Sequence, residues 1–61
     1  MENTWGPKEV AEYLGVPVQT IYQWRSGTRK YGPPGRRVGK HVRYIPDEVR
    51  EWFRGLSTEA A

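Results

Sequence analysis

RRVGKHVRYI, residues Arg36 to Ile45, is the stretch on which the fold turns. A Gly-Lys pair divides two short runs, and glycine in the first turn position is what a type II′ hairpin prefers. The stretch predicts a two-stranded hairpin with Gly39-Lys40 at its tip. Alternation along the second strand sends Val42 and Tyr44 to one face and His41 and Arg43 to the other. With a two-residue loop, Arg36 lies opposite Arg43. Two like charges facing each other are destabilising unless an anion sits between them.

The hairpin belongs to a longer basic run. From Arg25 to Arg43 there are seven basic residues (Arg25, Arg29, Lys30, Arg36, Arg37, Lys40, Arg43) and no Asp or Glu. The rest of the chain holds three basic and seven acidic residues, so a centre of +7 and flanks of −4 make up the net charge of +3. Such segregation presents one positive surface suited to a polyanion. A solvated Lys/Arg-rich loop is the alternative reading. The preceding GTRKYGPPG cannot be helix, because Pro33 lacks an amide hydrogen and pushes its predecessors toward extended backbone. It is either a stiff strut for the hairpin or a longer loop.

N-terminal to this run, GPKEVAEYLG reads as a helix with both ends marked. Gly6 serves as N-cap, Pro7 fits the first helical position, Glu9 falls where a capping-box acid belongs, and Gly15 closes the helix. Val10, Ala11 and Leu14 recur at helical spacing. VPVQTIYQWRSG follows at once, with Pro17 at its start, helix from Val18 to about Ser26, and Gly27 at its end. Only Gly15 to Pro17 separate the two, the length of a helix-turn-helix connection. Ile21 and Trp24 face inward, leaving Gln19, Thr20, Tyr22, Gln23, Arg25 and Ser26 largely outside. That face lacks the Glu/Lys mixture of a merely soluble helix. Gln can make two hydrogen bonds to an adenine edge, and Arg can do so to guanine or bind phosphate.

On the C-terminal side, PDEVREWFRGL predicts a third helix. Pro46 starts it, Asp47 and Glu48 suit the positive end of its dipole, and Arg54 suits the other end. Val49, Trp52, Phe53 and Leu56 form an apolar stripe expected to pack on the first two helices. Residues 1–56 are expected to form one domain and residues 57–61 a frayed tail.

Sixty-one residues allow one small domain with a thin core, burying about 60% of its unfolded surface. Three Trp, four Tyr and one Phe are many for this length and are expected to supply most of that core. No cysteine is present, so there is neither a disulfide framework nor a cysteine-based zinc site. His41 is the sole histidine, and no second ligand type clusters with it in sequence. No apolar run approaches the roughly 20 residues of a membrane span, and MENTW is no signal peptide. A soluble, intracellular mini-domain is expected.

The ordered set EVAEYLGV (Glu9 to Val16), TIYQW (Thr20 to Trp24), VGKHVRY (Val38 to Tyr44) and DEVREWF (Asp47 to Phe53) resembles the small winged helix-turn-helix domains of phage and plasmid excisionases and the related MerR-like DNA-binding domains. The resemblance covers about 50 residues, in the family's order and near its spacing. It implies a small α+β winged helix-turn-helix fold. The second helix would enter a major groove of double-stranded DNA, and the wing would reach backbone or an adjoining minor groove. The chain departs from the family at Pro17, where Ser or Thr is usual, and in the longer, proline-rich TRKYGPPG, which can stiffen or displace the wing.

On this frame Gln19, Thr20 and Gln23 are the candidates for base edges or nearby backbone, and Tyr22 and Arg25 for phosphate. In the wing the candidates are Arg36, Arg37, Lys40, His41 and Arg43. Trp24 is expected in the core, and Trp5 either packs on the third helix or stacks on a partner. Proteins of this family are not catalysts. They bind repeated sites beside an attachment site, cooperatively with neighbouring copies, bend the DNA and help a cognate integrase excise the element. The resemblance thus implies integrase and self-association as partners, and a place in the cytoplasm of a bacterial host, on the nucleoid. It implies no cofactor, metal, membrane or small-molecule ligand.

A small MerR-like transcriptional regulator would use the same DNA-binding residues. A protein-interaction module would use Tyr31 and Pro33-Pro34 instead. Salt separates the last from the others, since about five basic side chains on phosphate imply a slope of log K against log salt of roughly −4 to −5. An enzyme is disfavoured, because there is no cysteine nucleophile, one His, no glycine-rich phosphate loop opening a helix, and little room for a closed pocket.

Overall fold

The computed structural model describes residues 3–27 and 30–58. Its elements run α1 (Pro7–Leu14), α2 (Val18–Ser26), β1 (Arg36–Val38), β2 (His41–Arg43) and α3 (Pro46–Arg54). This is the small α+β winged helix-turn-helix arrangement, two helices in close succession, a hairpin wing and a closing helix.

Local signals account for the element ends. The Glu9 carboxylate accepts the Gly6 N–H at 2.9 Å, satisfying one of the donors a helix leaves open at its start. At the other end the N–H groups of Gly15 and Val16 both reach the Ala11 carbonyl, at 2.8 and 3.0 Å. Helix α2 has no side-chain cap, since Pro17 holds the N-cap position. The Pro17 carbonyl accepts the Thr20 N–H at 2.9 Å.

β1 and β2 pair antiparallel with Arg36 opposite Arg43, Arg37 opposite Val42, and Val38 opposite His41. Gly39 has φ 61°, and no described residue other than glycine has positive φ. Positive φ at the first turn position alone is the type II′ pattern. The hairpin gains a further neighbour from the N-terminus. Trp5 and Tyr44 exchange both backbone hydrogen bonds, at 2.8 and 2.7 Å, so the segment around Trp5 runs beside the end of β2.

The core is thin. It consists of Val10 and Ala11 from α1, Ile21 from α2, Tyr44 after β2 and Val49 from α3, with Trp5, Leu14, Val16, Val18, Trp24 and Val42 packed around them. Val42 and Tyr44 turn inward as alternation predicts, and Trp24 is half-buried against the core. The α3 stripe is used only in part. Val49 is buried and Trp52 is half-buried against Trp24, but Phe53 and Leu56 remain 48% and 38% exposed. Phe53 meets Tyr13 edge-on at 6.0 Å. Trp5 packs internally, with Tyr13 at 5.4 Å and the Arg50 guanidinium of α3 5.4 Å from its ring.

Residues 30–35 form a strut. The Tyr31 N–H reaches the Trp24 carbonyl, and its ring stands edge-on to Trp24 and Trp52 at 4.9 and 5.4 Å. Pro33 is buried. Gly32 lies flat on Trp24 with φ 105°, and a Cβ there would come within 2.9 Å of the indole. Thr28 and Arg29, which begin this connection, lie outside the described residues, as do residues 59–61 of the expected tail. Ser57 and Thr58 are exposed.

Candidate nucleic-acid interface

The free face of α2 follows from helical geometry. Gln19, Tyr22, Gln23 and Ser26 recur at i, i+3, i+4 and i+7, which places them on one arc. Gln19, Gln23, Ser26 and Tyr22 are all exposed, with Tyr22 at 55%. Thr20 and Arg25 flank the arc on either side and are half-buried. The opposite side of the helix holds Ile21 and Trp24 against the core. The five α2 residues expected to contact DNA therefore form one continuous polar strip, to which the structure adds Ser26 at its centre.

The wing residues divide between two faces. Arg37 and Val42 share the face turned toward α2, whereas Arg36, Arg43, Val38 and His41 share the other. Arg36 and Arg43 are engaged within the chain. The Arg36 guanidinium donates to both Glu48 carboxylate oxygens, at 2.6 and 3.0 Å. Arg43 donates to the Thr4 hydroxyl at 3.1 Å and the Thr4 carbonyl at 2.9 Å. The register that sets these two arginines opposite each other is as the sequence predicts. The Glu48 carboxylate of α3 supplies an anion beside Arg36, while Arg43 is held by the neutral oxygens of Thr4 and keeps its charge. The bond with Arg36 holds the Glu48 carboxyl below the usual carboxylate range, and the same bond and charge raise the Arg36 guanidinium. Lys40 and His41 are exposed at and beside the tip.

Between α2 and the wing runs a groove of about 410 Å³, lined by Tyr22, Arg25, Ser26, Lys30 and Arg37 with Val42 and Pro7 behind them. Arg25 is held at the base of the wing, its Nη1 only 3.2 Å from where a Cβ on Gly35 would stand. Gly35 is thus what lets the chain pass between Tyr44, Val42 and Arg25. Among the described residues no carboxylate lines the groove, and Arg25, Lys30 and Arg37 have no hydrogen-bond or ion-pair partner. Lys30 was not singled out by sequence reasoning. The available signal was its place in the acid-free run, but only the strut brings it beside α2.

Among the described residues no cluster of His, Cys, Asp or Glu could hold a metal ion, and no helix is long and apolar enough to cross a membrane.

An amide-rich helix face, a basic groove and a hairpin beside it define a winged helix-turn-helix DNA-binding domain. The comparison with protein families agrees, matching residues 6–57 to the helix-turn-helix domain, and the chain belongs to that family, which includes excisionase-like DNA-binding proteins. The family is typically non-enzymatic. No curated protein and no solved structure matches the chain.

Proposed function

We propose that this chain is a sequence-specific, architectural DNA-binding protein of the excisionase type. In this reading it binds repeated sites near an attachment site, cooperatively with neighbouring copies, bends the DNA and thereby promotes excision by a cognate integrase. It is not a catalyst, and it acts on the host nucleoid. Residues 1–56 are the DNA-binding unit and 57–61 a tail.

The observation that supports DNA binding most directly is the continuous strip Thr20, Gln23, Gln19, Ser26, Tyr22 and Arg25, bordered on the wing side by cations without a partner among the described residues. Amides at the centre suit base edges, and cations at the border suit the backbone. A module of this size buries no more than about 600–1,000 Å² on DNA. Modest affinity for a lone site follows, and repeated sites with adjacent copies supply the remainder. The interaction-module alternative loses some ground, since Pro33 is buried and the Tyr31 ring, though 52% exposed, stands edge-on to Trp24 and Trp52.

Footprinting on DNA flanking its own gene, paired with an excision assay, tests the proposal. Repeated, cooperatively filled sites beside an attachment site, with excision lost when the protein is removed, are expected. Protection confined to a promoter, with excision unaffected, assigns the chain to the transcriptional-regulator class instead.

A further inference from the structure

We infer that the groove between α2 and the wing is a seat for one backbone phosphate, completed by Lys30 from the strut. The inference rests on the DNA-binding reading above and goes beyond it by naming a contact residue and a shared ligand. Three cations, Arg25, Lys30 and Arg37, come from three different parts of the chain to one concavity that no carboxylate of the described residues lines. Outside the groove Arg36, Arg43 and Arg54 have internal acceptors in Glu48, Thr4 and Glu51, whereas the single cations Lys8 and Lys40 stand apart from other unpaired charges. The groove's cations have no acceptor among the described residues, and together they repel one another until an anion enters.

A phosphodiester fits that requirement. Its free oxygens accept from guanidinium forks and an ammonium at once, and the Tyr22 and Ser26 hydroxyls stand at the same groove as further donors. Arg25 approaches from the last turn of α2, and Arg37 from the wing face turned toward that helix. Lys30 is placed by its neighbour Tyr31, whose N–H is bonded to the Trp24 carbonyl and whose ring is fixed by Trp24 and Trp52. The proline-rich connection thus sets a backbone contact between the helix and the wing, and orders the two relative to one strand of the duplex. The competing explanation is that Arg25 and Lys30 merely complement the negative end of the α2 dipole. That role would leave DNA affinity unchanged on their removal and lower thermal stability instead.

Salt titrations of binding to a short duplex, followed by fluorescence anisotropy, decide the matter with Arg25→Ala, Lys30→Ala, Arg37→Ala and their pairs. Each single change is expected to weaken binding roughly tenfold on related and unrelated sequences alike, and, because the three cations share one phosphate, to reduce the salt slope by less than about one, the pairs approaching about one in total. On the footprinted site, one neutral methylphosphonate linkage is expected to weaken the unaltered chain and to make all three substitutions silent, because they share that phosphate. Unchanged affinity for Lys30→Ala, in a chain that otherwise binds with a normal slope, overturns the inference. So does silencing of the three substitutions at different linkages. If the unaltered chain shows no salt-dependent DNA binding, the DNA-binding reading itself fails, and this one with it.

Discussion

The Arg36 guanidinium grips the Glu48 carboxylate with two hydrogen bonds, at 2.6 and 3.0 Å, and so ties the first wing strand to the first turn of α3. Both side chains remain open to solvent, at 57% and 34%, so the pair adds little to global stability. Its consequence is geometric. One of the most exposed arginines of the wing faces the body of the domain, away from α2, and Arg43 is turned likewise to Thr4.

Arg36→Ala is therefore expected to leave the salt slope of DNA binding nearly unchanged, whereas Lys40→Ala, at the free tip, lowers it by about one. Glu48→Gln releases Arg36. Its expected effects are a melting temperature close to that of the unaltered chain, looser backbone order in β1 by NMR relaxation, and a salt slope steeper by up to about one. A slope lowered equally by Arg36→Ala and Lys40→Ala contradicts the internal role of Arg36.

The same pair sets a pH dependence. The Glu48 carboxyl is held below its ordinary range by the hydrogen bond from Arg36. A depressed carboxylate contributes stability that is present above its unfolded value and lost as pH falls through its folded value. Wing anchorage is thus expected to be intact at neutral pH and to weaken only in acid below the usual carboxylate range. A side-chain carboxyl NMR titration checks this directly, and Arg36→Ala is expected to return Glu48 toward its ordinary value.

Base readout and backbone binding separate by position. Gln23→Ala or Gln19→Ala is expected to compress the ranking of operator variants, each good bidentate amide contact discriminating by about 1–3 kcal/mol. Arg37→Ala weakens all sequences alike. With Arg36 and Arg43 engaged internally, the free cations near the interface among the described residues are Arg25, Lys30, Arg37 and Lys40. With the first three on one phosphate and Lys40 on another, the unaltered chain should then show a slope of roughly −2, shallower than a count of all wing arginines predicts. A ranking untouched by Gln23→Ala removes that residue from base readout.

The strut has its own vulnerable point. Gly32 combines φ 105° with a would-be Cβ 2.9 Å from Trp24. Gly32→Ala is expected to be destabilising by about 1–3 kcal/mol from backbone strain, with the steric clash added. A domain this small loses roughly 4–8 °C of melting temperature per kcal/mol. A thermal melt within a degree or so of the unaltered chain shows that the strut is not seated on Trp24.

Much of the fold was legible because its signals are local. The Gly6–Glu9 bond spans three residues, the Gly39-Lys40 turn two, and Pro46 with Asp47 and Glu48 marks a helix start at one position. The α2 strip was legible too, since helical spacing alone separates Gln19 and Gln23 from Ile21 and Trp24. The pairing of Trp5 with Tyr44 was not, because no pattern in MENTW signals which strand edge it will meet. Phe53 and Leu56 are covered less than their place in the stripe predicts, because apolar spacing gives a face but not how far a neighbouring helix extends over it.

By itself the sequence determined the element order, the turn, the hairpin register and the segregation of charge. These follow from caps, turns and periodicity acting over a few residues. Only the tertiary structure decided which cations are available to a partner. Arg36 finds Glu48 twelve positions away and Arg43 finds Thr4 thirty-nine away, whereas Lys30 is carried by Tyr31 to a groove that no carboxylate of the described residues lines. A charge is free or satisfied according to what the packed chain brings within about 3 Å of it, and one-dimensional spacing does not contain that distance.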